Sequence, residues 1–237
     1  CILEVLAPQI IQRSIRVAED YKSYLTSLGV DFETAPLVDI GYSGTNQLAI
    51  ARLMNASTSG IYLFTSERVV KLDESGQSHK AWLHERLKLD SSIFKHVHLW
   101  ELFLSGTHGS VVGVRPAADG LGWAFVEDST VLDTHARTVL ALLHKGALEF
   151  VREYFDIKSR YGYGPGLSAS AAEKPLIRFF VDPDPADAAS FSGVVFEDKF
   201  GGDKRRLLVQ SENCDKGDFL QGACGWNEGR MCFNGAG

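Results

Sequence analysis

The chain has 237 residues, 45% hydrophobic and 23% charged, the composition of an ordinary soluble globular protein with material for one large domain or two small ones. A net charge of −6 gives no global electrostatic reason to expect nucleic acid or an anionic membrane as partner. No apolar run approaches the roughly 20 residues of a membrane-spanning helix. The opening CILEVLAPQ starts on Cys1, as in a processed or partial chain, and lacks the basic lead of an intact signal peptide.

In chain order, residues 8–28 predict an amphipathic helix, because Ile11, Ile15, Ala18, Tyr21, Leu25 and Leu28 recur at three- and four-residue steps and Gly29 is a natural stop. VDFETAPLVDI becomes strand-like toward its end and runs into the small polar loop GYSGT, after which a helix is expected from about Asn46 to Met54. GIYLFTS, Gly60 to Ser66, predicts a strand parallel to the first. SGQSHKAWLHERLKL opens with turn residues and reads as the start of a helix, and FKHVHLWELFL reads as an apolar helix or strand. SVVGVRP and GWAFVED predict two short strands around the turn AADG.

A strongly periodic helix follows from Thr130 to about Tyr154. KSRYGYGPGLSASAAEK, rich in Gly, Pro and Ser, predicts a linker or mobile loop. A helix start at DPDP and a hairpin turning at GGD come next, and the tail from Ser211 to Gly237 has no periodicity. The expected organisation is an α/β domain over residues 1–158, a loop or linker at 159–174, and a C-terminal segment, 175–237, packed on the same domain.

Cys1, Cys214, Cys224 and Cys232 match no common zinc spacing. Free thiols, disulfides and a metal site all remain open, with free thiols and a cytoplasmic location the preferred reading.

The loop DIGYSGTNQ carries the chemistry. A helix N-terminus presents unpaired N–H groups and the positive end of the helix dipole, so it favours anions. Gly41 and Gly44 let backbone N–H groups approach a ligand, Ser43 and Thr45 add hydroxyls, and Asn46 and Gln47 add amides. Asp39, at the carboxyl end of its strand, can accept from sugar hydroxyls or help hold a metal ion beside a phosphate. The plain alternative is a tight strand-to-helix turn with Ser43 or Thr45 as N-cap.

LVDIGYSGTNQLAIARLM followed by GIYLFTS resembles modules of bacterial polysaccharide-biosynthesis proteins that accompany haloacid-dehalogenase-type phosphatase domains. ELFLSGTHGSVVGVRP and KGALEFVREY fit the same pattern, so the resemblance touches residues 15–200 by short motifs. The loop is also similar to the substrate loop of type I phosphoribosyltransferases, where Asp39 matches the first acid and Ser43, Gly44 and Thr45 match the phosphate cradle. Ile40 stands where that family has its second acid, and the loop is one residue shorter.

This resemblance implies a mostly parallel, Rossmann-like, type I phosphoribosyltransferase-like α/β fold with flanking helices and an irregular C-terminal tail. It implies glycosyl transfer, most plausibly phosphoribosyl transfer from phosphoribosyl pyrophosphate with Mg2+, to a glycan acceptor in bacterial surface-polysaccharide biosynthesis. A phosphatase domain in the same parent chain is the implied partner. The site residues are then Asp39, Glu101 and His108 for catalysis, and Gly41, Tyr42, Ser43, Gly44, Thr45, Asn46, Gln47 and Arg115 for substrate and phosphate binding. Arg68 and Lys71 are further candidate cations for the leaving pyrophosphate.

Other readings come from other motifs. A nucleotide-sugar or sugar-phosphate binding module would share the cradle without turnover. SENCDKGDF resembles the Asn-Cys segment of permuted papain-like thiol hydrolases, with Cys214 as nucleophile and His108 as its partner. GYSGT approaches the nucleophile-elbow pattern, but Thr45 replaces the final glycine. His96 and His98 would share a face on a strand, as metal ligands do, or be partly buried structural residues. RYGYGPG reads as an aromatic lid or as plain linker.

Overall fold

A computed structural model of the chain describes residues 2–108, 111–119, 122–127, 134–164, 166, 168–198, 204–209, 226–233 and 235. It is a mixed α/β protein that divides into two compact units, residues 1–87 with 108–131, and residues 88–107 with 132–237. The expected linker at 159–174 falls inside the second unit.

In the first unit, α1 (Ile2–Ser27) ends where Gly29 adopts φ +64°, a left-handed conformation that stops the helix at the predicted glycine. Strands β1 (Leu37–Asp39), β2 (Ser59–Ser66) and β3 (Ser78–Leu87) form a parallel sheet in the order β1-β2-β3. Helix α2 (Thr45–Met54) connects β1 to β2, and a 3-10 turn (Glu67–Val69) with α3 (Val70–Glu74) connects β2 to β3. Leu37 pairs with Gly60 and Asp39 with Tyr62.

Parallel crossovers are right-handed, so two steps in one direction put α2 and α3 on the same face of the sheet. Burial agrees: Tyr62 and Phe64 are buried on β2, while Val38, Ile61 and Trp82, which alternate with the buried positions, are exposed. A doubly wound sheet reverses its strand order and covers both faces. These three strands step one way only.

Residues 78–87 form β3, a strand, where the sequence pattern suggested a helix. The central strand β2 has two backbone edges, and both need partners once it is buried. Residues 78–87 supply the second, from Ser59 opposite Ser78 to Ser66 opposite Leu87. That pairing outweighs the local preference.

Strands β4 (Val111–Pro116) and β5 (Trp123–Glu127) form the predicted antiparallel hairpin. β4 packs on α1, and Tyr24 of α1 meets Trp123 and Phe125 edge-on with ring centroids 5.9 and 5.5 Å apart.

The second unit holds α4 (Ser92–Lys95), α5 (Val97–Leu104), α6 (Thr134–Tyr161), α7 (Ala169–Val181), α8 (Pro185–Ser190), the antiparallel strands β6 (Val195–Asp198) and β7 (Lys204–Leu207), and α9 (Asn227–Phe233). Leu99, Leu140, Phe180, Leu208 and Trp226 are buried in its core. The Trp226 indole N–H donates to the Phe180 carbonyl at 2.8 Å, and its ring lies 4.9 Å from that of Phe179.

Two helices depart from the sequence reading. α7 begins within the stretch expected to be linker, because Ser168 accepts a hydrogen bond from the Ala171 N–H and caps a helix of small residues. α9 stands in the tail expected to be irregular, where the N–H of the buried Trp226 donates to the Leu208 carbonyl just ahead of the helix. Asp184 caps α8 as its sequence suggested, accepting from Ala186 N–H at 2.9 Å and Asp187 N–H at 3.0 Å. The expected hairpin turn at GGD lies outside the described residues.

Candidate functional site

β1 ends at Asp39, and the loop that follows leads into α2 at the carboxyl end of the parallel strands. Asp39 folds back on this loop: its Oδ1 accepts the Gly41 N–H at 2.7 Å and its Oδ2 accepts from the Asn46 side-chain amide at 3.3 Å. The Tyr42 carbonyl accepts both the Ser66 N–H at 2.9 Å and the Ser66 hydroxyl at 3.2 Å, so the loop is tied to the end of β2. The Tyr42 ring stacks on Phe64, with centroids 6.1 Å apart and planes within 5°. Gly44 sits at φ +70° as N-cap residue, and an added Cβ would lie 2.4 Å from Leu72 Cδ1. Any other residue would strain the backbone and displace the Leu72 side chain.

Gln47 points the other way. It is 1% exposed, and its Nε2 donates to the Ser78 carbonyl at 2.8 Å and to the Thr58 carbonyl and hydroxyl, each at 3.2 Å. The Tyr62 hydroxyl donates to Gln47 Oε1 at 2.8 Å. An added Cβ on Gly60 would stand 2.2 Å from Gln47 Oε1. Burial, with the Asp39 charge adding to it, pushes the Tyr62 phenol above its ordinary 10.0, so the hydroxyl stays protonated and donating. The Gln47 amide therefore joins α2 to β2 and to the start of β3, and Gly60 and Tyr62 are the residues that make room for it and satisfy it.

The outward half of the loop is different. No side chain caps the first turn of α2. Among the described residues, the side-chain hydroxyls of Ser43 and Thr45 have no hydrogen-bond partner. Thr45 and Asn46 are exposed. Two hydroxyls and the first-turn amides of a ten-residue helix thus stand beside one carboxylate.

The other sequence-derived candidates lie on other elements. Arg68 follows Ser66 by two residues, at the same end of the sheet as the loop, and is exposed, as is Lys71 on α3. Arg115 is on β4, opposite Ala124 of the hairpin. His108 is exposed in the first unit, between α5 and β4, and Glu101 is on α5 of the second unit. His96 joins the helices α4 and α5, and so is not on a strand with His98. Its Nδ1 faces the Ser92 carbonyl at 2.7 Å and its Nε2 faces Glu228 Oε2 at 3.2 Å, a buried structural arrangement. Among the described residues no group of three or more His, Cys, Asp or Glu is placed to hold a metal ion.

Cys1, Cys214 and Cys224 lie outside the described residues. Cys232 is a free thiol that donates to the Pro183 carbonyl at 3.1 Å. The sequence reading missed an open polar cleft of about 370 Å³ at the opposite end of the sheet, lined by Arg52, Asn55, Ser57, Ser75 and Gln77 among others. No motif marks it, because its walls come from the far ends of α2 and α3.

No family model, no curated protein and no solved structure matches the chain. Among the described residues no helix is long and apolar enough to cross a membrane.

Proposed function

We propose that the first unit binds the phosphate of a phosphorylated sugar at Ser43 to Asn46 and that the protein is a glycosyltransferase of bacterial surface-polysaccharide assembly. Its donor in this reading is phosphoribosyl pyrophosphate and its acceptor a glycan. The observation that supports it is the uncapped first turn of α2 with the hydroxyls of Ser43 and Thr45, which have no hydrogen-bond partner among the described residues, in the loop that follows Asp39 at the carboxyl end of β1. That strand-loop-helix is the element a type I phosphoribosyltransferase-like fold would use, and a cytoplasmic location goes with such a donor.

Ser43, Thr45 and the first-turn amides donate to the phosphate, and Gly41, Tyr42 and Gly44 shape the backbone that presents them. Asp39 accepts from ribose hydroxyls. Mg2+ is commonly held by one or two carboxylates together with substrate phosphates, and Asp39 is the carboxylate that would hold it here, its Oδ2 giving up the Asn46 amide. When bound, the ion would neutralise charge on the leaving pyrophosphate. Arg68 and Arg115 are the cations assigned to phosphate, and His108 is the base for the acceptor hydroxyl. Gln47 supports the loop from inside.

A second reading, sugar-phosphate binding without turnover, is favoured by the Asp39 carboxylate being already bonded to Gly41 and Asn46 within its own turn. Calorimetric titration with phosphoribosyl pyrophosphate and Mg2+, ribose 5-phosphate and a sugar nucleotide tests both. Binding of the pyrophosphate donor that Asp39→Ala and Thr45→Val each weaken is the expected result. Binding of ribose 5-phosphate alone would favour the module without turnover. No binding by any of the three would leave the loop a structural turn.

A further inference from the structure

The last 17 residues of α6, from Lys145 to Tyr161, sort cleanly around the helix. Lys145, Glu149, Arg152, Glu153, Asp156 and Arg160 fall on one side and the apolar residues on the other, where Lys158 is the one charged residue among them. Burial along α6 is confined to its beginning, at Ala136 and Leu140. Farther on, Phe150 is 58% exposed, Phe155 59%, Ile157 46% and Tyr161 64%, while Leu143 and Tyr154 are half-buried.

Leu143, Ala147, Phe150, Tyr154, Ile157 and Tyr161 follow one another at steps of four, three, four, three and four residues. That is the spacing of a seam at which one helix meets another. With the side-chain stems that flank it, this seam offers on the order of 600 Å² per copy, somewhat below the roughly 800 Å² per partner of a standard interface, the size of a weak association.

Charge identifies the partner and its direction. On the polar side, Lys145 pairs with Glu149 at 3.8 Å and Arg160 with Asp156 at 2.8 Å, each within the helix. Glu153 and Lys158 flank the seam on opposite sides, and among the described residues neither forms an ion pair. They are five residues apart, the offset at which flanking residues of two parallel, in-register helices face each other across a seam. A second copy would therefore set Glu153 against Lys158 of its partner twice, once on each side. An antiparallel copy centred on Arg152 would instead bring the two Glu153 side chains together. An anionic membrane is a poorer occupant, because four basic residues (Lys145, Arg152, Lys158, Arg160) against three acidic ones (Glu149, Glu153, Asp156) leave a net charge of only +1.

We propose that the exposed seam of α6 pairs, parallel and in register, with the same seam of a second copy of this chain. The proposal is independent of any ligand at the Asp39 loop.

Sedimentation velocity of the full chain tests it, at concentrations up to roughly 50 μM, where a micromolar Kd gives mostly dimer. A dimer is expected that Phe150→Glu dissociates, with circular dichroism unchanged. Lys158→Glu alone should weaken the dimer roughly tenfold, and the double variant Glu153→Lys/Lys158→Glu should restore it. A monomer throughout this range would overturn the proposal, whether or not the chain then binds anionic vesicles. Dissociation by Phe155→Glu with Phe150→Glu still dimeric would place the contact on the neighbouring row of Leu148 and Phe155 and overturn the seam. Failure of the double variant to restore what the single one lost would overturn the parallel pairing.

Discussion

The Tyr62 hydroxyl donates to the Oε1 of Gln47 at 2.8 Å, inside the first unit, where both side chains are 1% exposed. This one bond ties the third residue of the β2 stretch GIYLFTS to the last residue of the loop DIGYSGTNQ. Packing accounts for three of these residues: Gly60 leaves the space that the Gln47 amide fills, and Tyr62 satisfies that amide.

Tyr62→Phe leaves a buried acceptor without its donor, and we expect a loss of about 1–3 kcal/mol in urea unfolding. The variant also tests a pH dependence. The folded-state pKa of Tyr62 is raised above 10.0, so its contribution is unchanged below about pH 10, where folded and unfolded chains both hold the proton. Above that, the unfolded chain releases the proton first and stability falls, by up to ~1.4 kcal/mol per pH unit for this one group. Tyr62→Phe should flatten that alkaline limb. An unchanged limb would mean that other groups produce it.

Gly44 and Gly29 share a left-handed backbone, at φ +70° and +64°, but only Gly44 faces a neighbour. Substitution by alanine should cost about 1 kcal/mol at Gly29 from the backbone alone. At Gly44 it should cost clearly more, because Leu72 must also move. Thermal or urea unfolding of the two variants measures the difference, and equal losses would remove the Leu72 contact from the account.

Asp39→Asn keeps an oxygen for the Gly41 N–H while removing the charge. If Asp39 engages ribose hydroxyls or Mg2+, affinity for phosphoribosyl pyrophosphate with Mg2+ should fall by about tenfold or more, the effect of losing a charge-assisted bond. Inorganic phosphate should bind as well as before or better, because a nearby negative charge is gone. Parallel titrations of the two ligands decide it. Weakening of both alike would mean that the substitution damages the loop itself.

In the second unit, Trp226→Phe removes the indole donor to the Phe180 carbonyl and shrinks a ring packed on Phe179 and Phe191. We expect a loss of about 2–4 kcal/mol, combining the unmade bond with the cavity. Chemical denaturation of wild type and variant is the measurement. A loss below 1 kcal/mol would show that the ring cluster closes without the indole.

The elements read correctly from sequence are those whose signal is local. α1 stops at Gly29, β1 and β2 flank α2 as their patterns indicate, β4 and β5 turn back around Ala117–Gly122, and Asp184 caps α8. The misread elements take their conformation from partners. Ser78 to Leu87 has no clean alternation and is a strand because β2 has a free edge, and α7 lies behind a run of Gly, Pro and Ser that resembles linker.

A strand, a glycine-spaced polar loop and a helix in that order are legible in residues 37–54 alone, since turn chemistry and hydrophobic periodicity act over a few residues. Which half of the loop motif faces inward depends on contacts between distant segments. Among the described residues the hydroxyls of Ser43 and Thr45 have no hydrogen-bond partner, while Gln47 is drawn into the interior by Thr58, Tyr62 and Ser78. A buried amide must find its hydrogen bonds wherever the folded chain brings them, and those partners lie on other strands.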